Sequence, residues 1–425
     1  MLKLIVHHSP ALLGFLVALN LRLRQPQFDH IARIADALIV SEGKHKTIAS
    51  LYALIVDAPD ASNGCDSLRI SPWQAEDLRK AMGEFVIEEL IRYREQSGEY
   101  VLYVSVDDVL GEKDKETRHL EAVEFHHNHT KSTKKKAYHT NGTVHVTVRL
   151  QLGAWEYVFA HRLYLREKTV RRLNRGRAKE NRLRFRKKGS LAQEMLSELK
   201  ELLPQGFQLY ILFDSWYASN RLIKFCRRHG WHVICAIKSN RVFDGSKLSQ
   251  WNKTLKHQRY QQITLTATDQ RRLTYFVRSL RGRLNNLPFD VCVLISKRHP
   301  RDQYPKYFLC TDTALSPQAI LHKYQKRWAT EIDNLYVKQH LGLTDFRVQS
   351  FEATEKWFAI VYLAYLFLQW RLHHAPPEQQ LHSIADVIRL HRQEHARTLL
   401  QTACQLAFDS LDLAPVFRRF VIHSA

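Results

Sequence analysis

The sequence predicts an α/β fold: a mixed sheet with flanking helices, a β-rich insertion within it, and helical regions before and after. Three observations carry that expectation. Apolar residues recur at helical spacing through residues 1–97, and again through 313–375 and 376–425. Short apolar runs alternate with helical patterns over 98–240, as in sheets whose strands pair in parallel through crossovers. Residues 241–312 then carry four strand-like runs in succession.

Taken in order, "FDHIARIADALIV", "KTIASLYALIV" and "AEDLRKAMGEFVIEELIRYREQ" read as helices of the N-terminal region, interrupted by the turn-rich "DAPDASNGCDS". "EYVLYVSVDD" (99–108) is a short apolar run that stops at two acids, as expected for a strand buried on both faces. "GTVHVTVRLQL" and "WEYVFAHRLYL" alternate on either side of a glycine turn and predict a hairpin. A basic stretch leads to the helix "LAQEMLSELKELL", the strand "QLYILFD", the helix "NRLIKFCRRHG" and the strand "HVICAIK". The insertion comprises "QQITLTATD", "RRLTYFVRSL", "DVCVLISKR" and "KYFLCTDT"; the helical pattern returns with "SPQAILHKYQKRWATEIDNLYVKQHLGL" and "EKWFAIVYLAYLFLQWRLHH".

Composition narrows the partners. Lys and Arg total 64 against 42 Asp and Glu, a formal charge of +22. A folded chain this basic favours a polyanion, whose released counterions supply affinity. The longest apolar runs, Ala11–Leu21 and Phe358–Leu368, are about half the ~20 residues of a membrane span, so buried helices and a cytoplasmic protein without membrane contact are expected. Six scattered cysteines without a CxxC pair argue against a disulfide framework or zinc ribbon.

Asp107 and Asp108 end one predicted strand and Asp214 ends another. Ligands of open α/β sheets gather at the carboxyl ends of strands, so these acids can converge there. Carboxylate oxygens suit Mg²⁺, and two such ions roughly 3.5–4 Å apart can assist in-line attack on phosphorus. Taken singly, an Asp after a strand is more often a turn or N-cap residue. A third feature shifts the balance. In "YQKRWATEIDNLYVK", Tyr324, Arg327, Glu331 and Lys338 fall within about 60° of arc on an ideal helix, one carboxylate among two cations and a phenol. A solvated salt-bridged face is the plainer reading of such charges.

That Tyr-x2-Arg-x3-Glu-x6-Lys spacing resembles the DDE transposases of insertion-sequence family four, which include the bacterial transposon-five type. "VDDV" and "DSWYAS" after strands, and "HLGLTDFRVQS…WFAIVYLAYLFLQWRL" downstream, are similar to that family as well, so the resemblance covers most of residues 100–375. It implies an RNase H-like catalytic core with a β insertion between the second Asp and the Glu. It also implies a catalytic, metal-binding triad of Asp107, Asp214 and Glu331 with two Mg²⁺ ions, Mn²⁺ being a possible substitute. Asp107 is taken over Asp108 because the family motif implies the first acid of the pair; the family's usual Thr after the acids is Val109 here. Tyr324, Arg327 and Lys338 resemble the residues that contact phosphates at element ends. The implied reaction is cut-and-paste transposition on double-stranded DNA by a dimer on paired ends.

Between Arg162 and Lys188 lie 13 Arg and Lys but two Glu, and Arg171, Arg172, Arg175, Lys187 and Lys188 are expected at DNA phosphates. "HTKSTKKKAYH" (129–139) is a second basic cluster. Trp216 and Tyr217, beside Asp214, are expected to pack in the core rather than stack on a base. Adjacent histidines of "HHNH" (126–129) cannot easily converge on one ion, and no metal site is expected there. Competing functions are an RNase H-like nuclease or resolvase without strand transfer, a domesticated DNA-binding protein without catalysis, and an RNA- or ribosome-associated protein; the last leaves the acids at strand ends unexplained.

Overall fold

A computed structural model describes residues 2–43, 46–128, 131–133, 136–255, 259–266 and 271–421. Its N-terminal region is helical: α1 (Pro10–Ala18), α2 (Gln25–Val40), α3 (Ile48–Tyr52), α4 (Ala61–Arg69) and α5 (Ala75–Ser97). The apolar run after residue 10 is a buried helix, as expected, with Leu12, Phe15 and Leu16 inside. Two expectations are corrected here. The "KTIASLYALIV" helix lasts only for α3, and most of the supposed break folds as α4 because the Asp60 carboxylate accepts the Ser62 N–H at 2.7 Å.

The middle of the chain contains β1 (Val101–Glu112), β2 (Glu124–His127), β3 (His139–Leu152), β4 (Trp155–Tyr164), α6 (Glu167–Leu173), α7 (Lys188–Leu202), β5 (Gln208–Phe213), α8 (Asn220–Arg228) and β6 (His232–Ile237). There follow the two-residue strands β7 (Val242–Phe243) and β8 (Ser246–Lys247), α9 (Leu248–Thr254), and four longer strands. These are β9 (Gln261–Thr266), β10 (Arg272–Gly282), β11 (Val291–Lys297) and β12 (Lys306–Cys310). The last part is α10 (Pro317–Gln325), α11 (Ala329–Gln339), α12 (Phe351–His373), α13 (Ile384–Ser410) and α14 (Ala414–Phe420).

One large mixed sheet runs in the order β2-β3-β1-β5-β6-β12-β11-β10-β9, with β4 paired to β3. β3 and β4 are the expected hairpin, turning at Gly153, whose φ of +57° suits glycine. β1 is antiparallel to β3 and parallel to β5, and β5 is parallel to β6. The β-rich stretch does not stand apart: β12 pairs antiparallel with β6, so the four strands widen the same sheet.

The sheet separates two apolar layers. Leu102, Val104 and Val106 of β1 and Leu209, Ile211 and Phe213 of β5 face the larger core, which also takes in α2, α5, α7 and α12. Tyr210 and Leu212 face the opposite way, onto Ile320 and Leu321 of α10. α12 is buried on nearly every side, packed between α2, α4, α5, β4 and α13. Its expected burial is therefore correct. Among the described residues no helix is long and apolar enough to cross a membrane.

Candidate active site

β1 does not stop at its acids. It continues to Glu112, paired with β3 alone, because its parallel neighbour β5 ends at Phe213. The last pair of the β1–β5 ladder is Val106–Phe213, and Asp107 and Asp214 are the next residues of their strands. Side chains alternate along a strand. Since Val106 and Phe213 face the larger core, Asp107 and the position of Asp214 fall on the other face, toward α10 and α11. Asp108 turns away from it.

The expected single helix through Tyr324 and Lys338 is broken. A 3-10 turn, Lys326–Trp328, separates α10 from α11 and carries Arg327. Tyr324 and Glu331 nevertheless gather around Arg327. Arg327 makes an ion pair with the Asp107 carboxylate, and its Nη2 lies 3.6 Å from Glu331 Oε1. The guanidinium lies 5.9 Å from the centre of the Tyr324 ring. Burial opposes the charge on Arg327, but Asp107, Tyr324, Glu331 and Asp214 together hold it protonated, so all three acids act on a single guanidinium. Burial pushes Asp107 up to about 7; Arg327 opposes this, while the charges of Asp108 and Asp214 add to it. Tyr324 is pushed up to about 12 by burial. Burial lowers Lys338, against the attraction of Glu112 and Glu331.

On the other face, Asp108 receives Lys188 Nζ at 2.7 Å and the Tyr217 hydroxyl at 3.1 Å. Tyr217 is buried, as expected. Trp216 is not: it is 50% exposed, with Lys188 and Lys238 at 5.5 and 6.0 Å from its ring. The core reading fails for Trp216 because β5 has already ended at Phe213 and the ring lies in the turn that follows. The basic stretch forms α6 and two short 3-10 turns before α7. Arg171 pairs with Glu167 at 2.6 Å and Arg172 bonds the Glu121 carbonyl at 3.0 Å; Arg175 and Lys187 are exposed. In the second basic cluster, residues 129, 130, 134 and 135 lie outside the described residues, as does the last histidine of "HHNH". His126 is buried, with Nε2 3.8 Å from Glu124.

Other contacts hold α11 in place. Asp333, two residues beyond Glu331, accepts Arg149 Nε of β3 at 2.7 Å and the Tyr365 hydroxyl of α12 at 2.7 Å. Sequence reasoning missed this brace, although a lone arginine inside the apolar alternation of "HVTVRLQL" was a usable signal. It also missed the spaced pair His391 and His395, which meet Asp36 in the interior.

An all-carboxylate donor set fits hard ions such as Mg²⁺ or Mn²⁺. Among the described residues the oxygens of Asp107, Asp214 and Glu331 are not all within 4.8 Å of one another. Arg327 stands among them, neutralising part of their repulsion, so an ion would compete with its pairing to Asp107.

Acids on adjoining strands of a mixed sheet can hold the ions that phosphodiester cleavage uses, and comparison with known families points to the same class. The family model described as DDE superfamily endonuclease matches residues 35–268, more than half of the chain, and the chain belongs to that family. The model described as transposase DDE domain matches residues 186–367, which supports a transposase. No curated protein matches the chain.

Proposed function

We propose that this chain catalyses cut-and-paste transposition of an insertion sequence of family four, with Asp107, Asp214 and Glu331 as its metal-binding triad. The observation that carries the reading is that Asp107 and Glu331 flank Arg327, while Asp214 follows β5 at the position beside Asp107 on the adjoining strand. The strand order β4-β3-β1-β5-β6, antiparallel then parallel, supports an RNase H-like core. The strands β9–β12 are then the insertion between the second Asp and the Glu.

Two Mg²⁺ ions, or Mn²⁺ in their place, would supply Lewis acidity to the attacking and leaving oxygens. The chain's own part is positional. Water attacks phosphorus at an element end, the bond to the 3′ oxygen breaks, and that oxygen leaves as a hydroxyl. The freed 3′-hydroxyl then attacks a phosphodiester of the target, forming one P–O bond as another breaks, so strand transfer needs no energy source. Tyr324, Arg327, Lys338 and the basic residues Arg171, Arg172, Arg175, Lys187 and Lys188 hold phosphates. The helices of residues 1–97 help to read element ends, and 376–425 support a dimer on paired ends, in the bacterial nucleoid.

The test is a cleavage and strand-transfer assay with Mg²⁺ on DNA carrying the element's ends, comparing the native chain with Glu331→Gln. Glu331 is 45% exposed, so the change leaves packing intact. Nicked and joined products that vanish in the variant, with DNA binding kept, are expected. Cleavage without joining favours a nuclease, and binding without chemistry a DNA-binding relic.

A further inference from the structure

We propose that Asp36, His391 and His395 form a binding site for a divalent transition metal, zinc above all, that ties α2 to α13. Two histidines four residues apart leave the same face of α13. Their Nε2 atoms both aim at one oxygen, Asp36 Oδ1, at 2.7 and 2.9 Å. Asp36 and His391 are fully buried and His395 is 4% exposed. Among the described residues this is the one group whose three candidate ligand atoms all lie within 4.8 Å of one another.

The geometry is near what a tetrahedral ion requires. Bonds of roughly 2.0–2.2 Å place neighbouring ligand atoms about 3.3 Å apart, so an ion seats after the carboxylate draws back by a few tenths of an ångström. His8 Nδ1 lies 3.2 Å from the other oxygen, Asp36 Oδ2, and holds the carboxylate from outside the group. A cavity lined by His7, His8, Glu394 and Thr398 reaches His395 and offers a path for the ion. Two imidazoles with one carboxylate favour Zn²⁺, Co²⁺ or Ni²⁺ over Mg²⁺, which separates this site from the acids on the sheet. Arg371 Nη1 touches His391 Nδ1 at 3.3 Å and Glu394 Oε2 at 2.8 Å. Metal on Nε2 puts the ring proton on Nδ1, so Arg371 must release that longer contact while keeping Glu394.

The test uses the full chain, stripped with a chelator and titrated with Co²⁺ and then Zn²⁺ in excess Mg²⁺. Expected are one tight equivalent per chain, the strong visible absorption of tetrahedral Co²⁺, its loss on Zn²⁺ addition, and a raised Tm. His391→Gln/His395→Gln should lose the equivalent and the absorption while far-UV circular dichroism stays native; Glu331→Gln should keep both. Absence of stoichiometric binding in the native chain, or equal binding by a folded double variant, overturns the proposal and leaves a hydrogen-bonded clasp only. Should the double variant not fold, the native chain decides: binding without tetrahedral absorption and without a rise in Tm overturns it.

Discussion

Replacing Arg149 by Met should destabilise the protein at neutral pH more than at acid pH. Arg149 is buried between Asp333 and Glu156, each at 2.7 Å. Burial pushes Asp333 up to about 6 even beside that arginine. Without it the carboxylate retains one bond, from Tyr365, and folds at pH 7 only by taking up a proton. Keeping a proton on a group with an unfolded pKa near 3.9 costs about 1.4 kcal/mol per pH unit, roughly 4 kcal/mol at pH 7; the native chain, whose Asp333 ionises near 6, already bears roughly 3 kcal/mol of this, so the proton adds about 1.3 kcal/mol to the variant's deficit. Breaking a buried pair typically costs ~3–5 kcal/mol in all, the remainder coming from the lost contacts of Arg149 with Asp333 and Glu156. The sign follows from the direction of the shift. A carboxyl raised in the folded state carries a penalty that begins above its unfolded pKa and grows with pH until the folded pKa is passed. At pH 5 Asp333 is protonated in both proteins, so this part of the deficit should vanish. Urea unfolding followed by circular dichroism at pH 7 and pH 5 measures both values. A deficit below about 1 kcal/mol at pH 7, or one that does not change with pH, refutes the reasoning. Asp333→Leu added to Arg149→Met should recover much of the loss, since no buried charge is then left alone.

Two further outcomes concern DNA. Arg171→Ala/Arg172→Ala/Arg175→Ala should reduce the slope of log affinity against log salt by up to about 2.7, roughly 0.9 for each phosphate no longer neutralised, and an unchanged slope removes these residues from the interface. Trp216→Ala should weaken binding of single-stranded or frayed ends by about 5- to 150-fold, the scale of one base stack, while leaving blunt duplex binding nearly unchanged. Fluorescence anisotropy on both substrates separates a stacking residue from one that merely packs against Lys188 and Lys238.

Strand pairs with clean alternation were legible: the β3–β4 hairpin and the strands β9–β12 follow from period-two patterning and one glycine. The length of β1 was not, because its continuation past Asp108 depends on β3 rather than on its own residues. The break between α10 and α11 has no glycine or proline to announce it; the turn coincides with the pairing of Arg327 to Asp107. Choosing Asp107 over Asp108 from sequence rested on resemblance alone. The β1–β5 register puts Asp107 on the face of α10 and α11 and Asp108 on the opposite one. The Asp36 cluster lay beyond reach, its members being 355 and 359 residues apart in the chain.

That separation bears on how the protein is made. α2 shares its core with α12 and α13, Arg392 bonds the carbonyls of Ile39 and Ser41, and Leu2 bridges to Val421. During synthesis the first helices therefore leave the ribosome some 300 residues before their packing partners exist, and must wait with apolar surface uncovered. A message cut short before α12 yields a chain with no partner for that surface, and hence a substrate for chaperones and proteases. Broken copies of the gene would then contribute little protein able to occupy DNA and obstruct the intact enzyme.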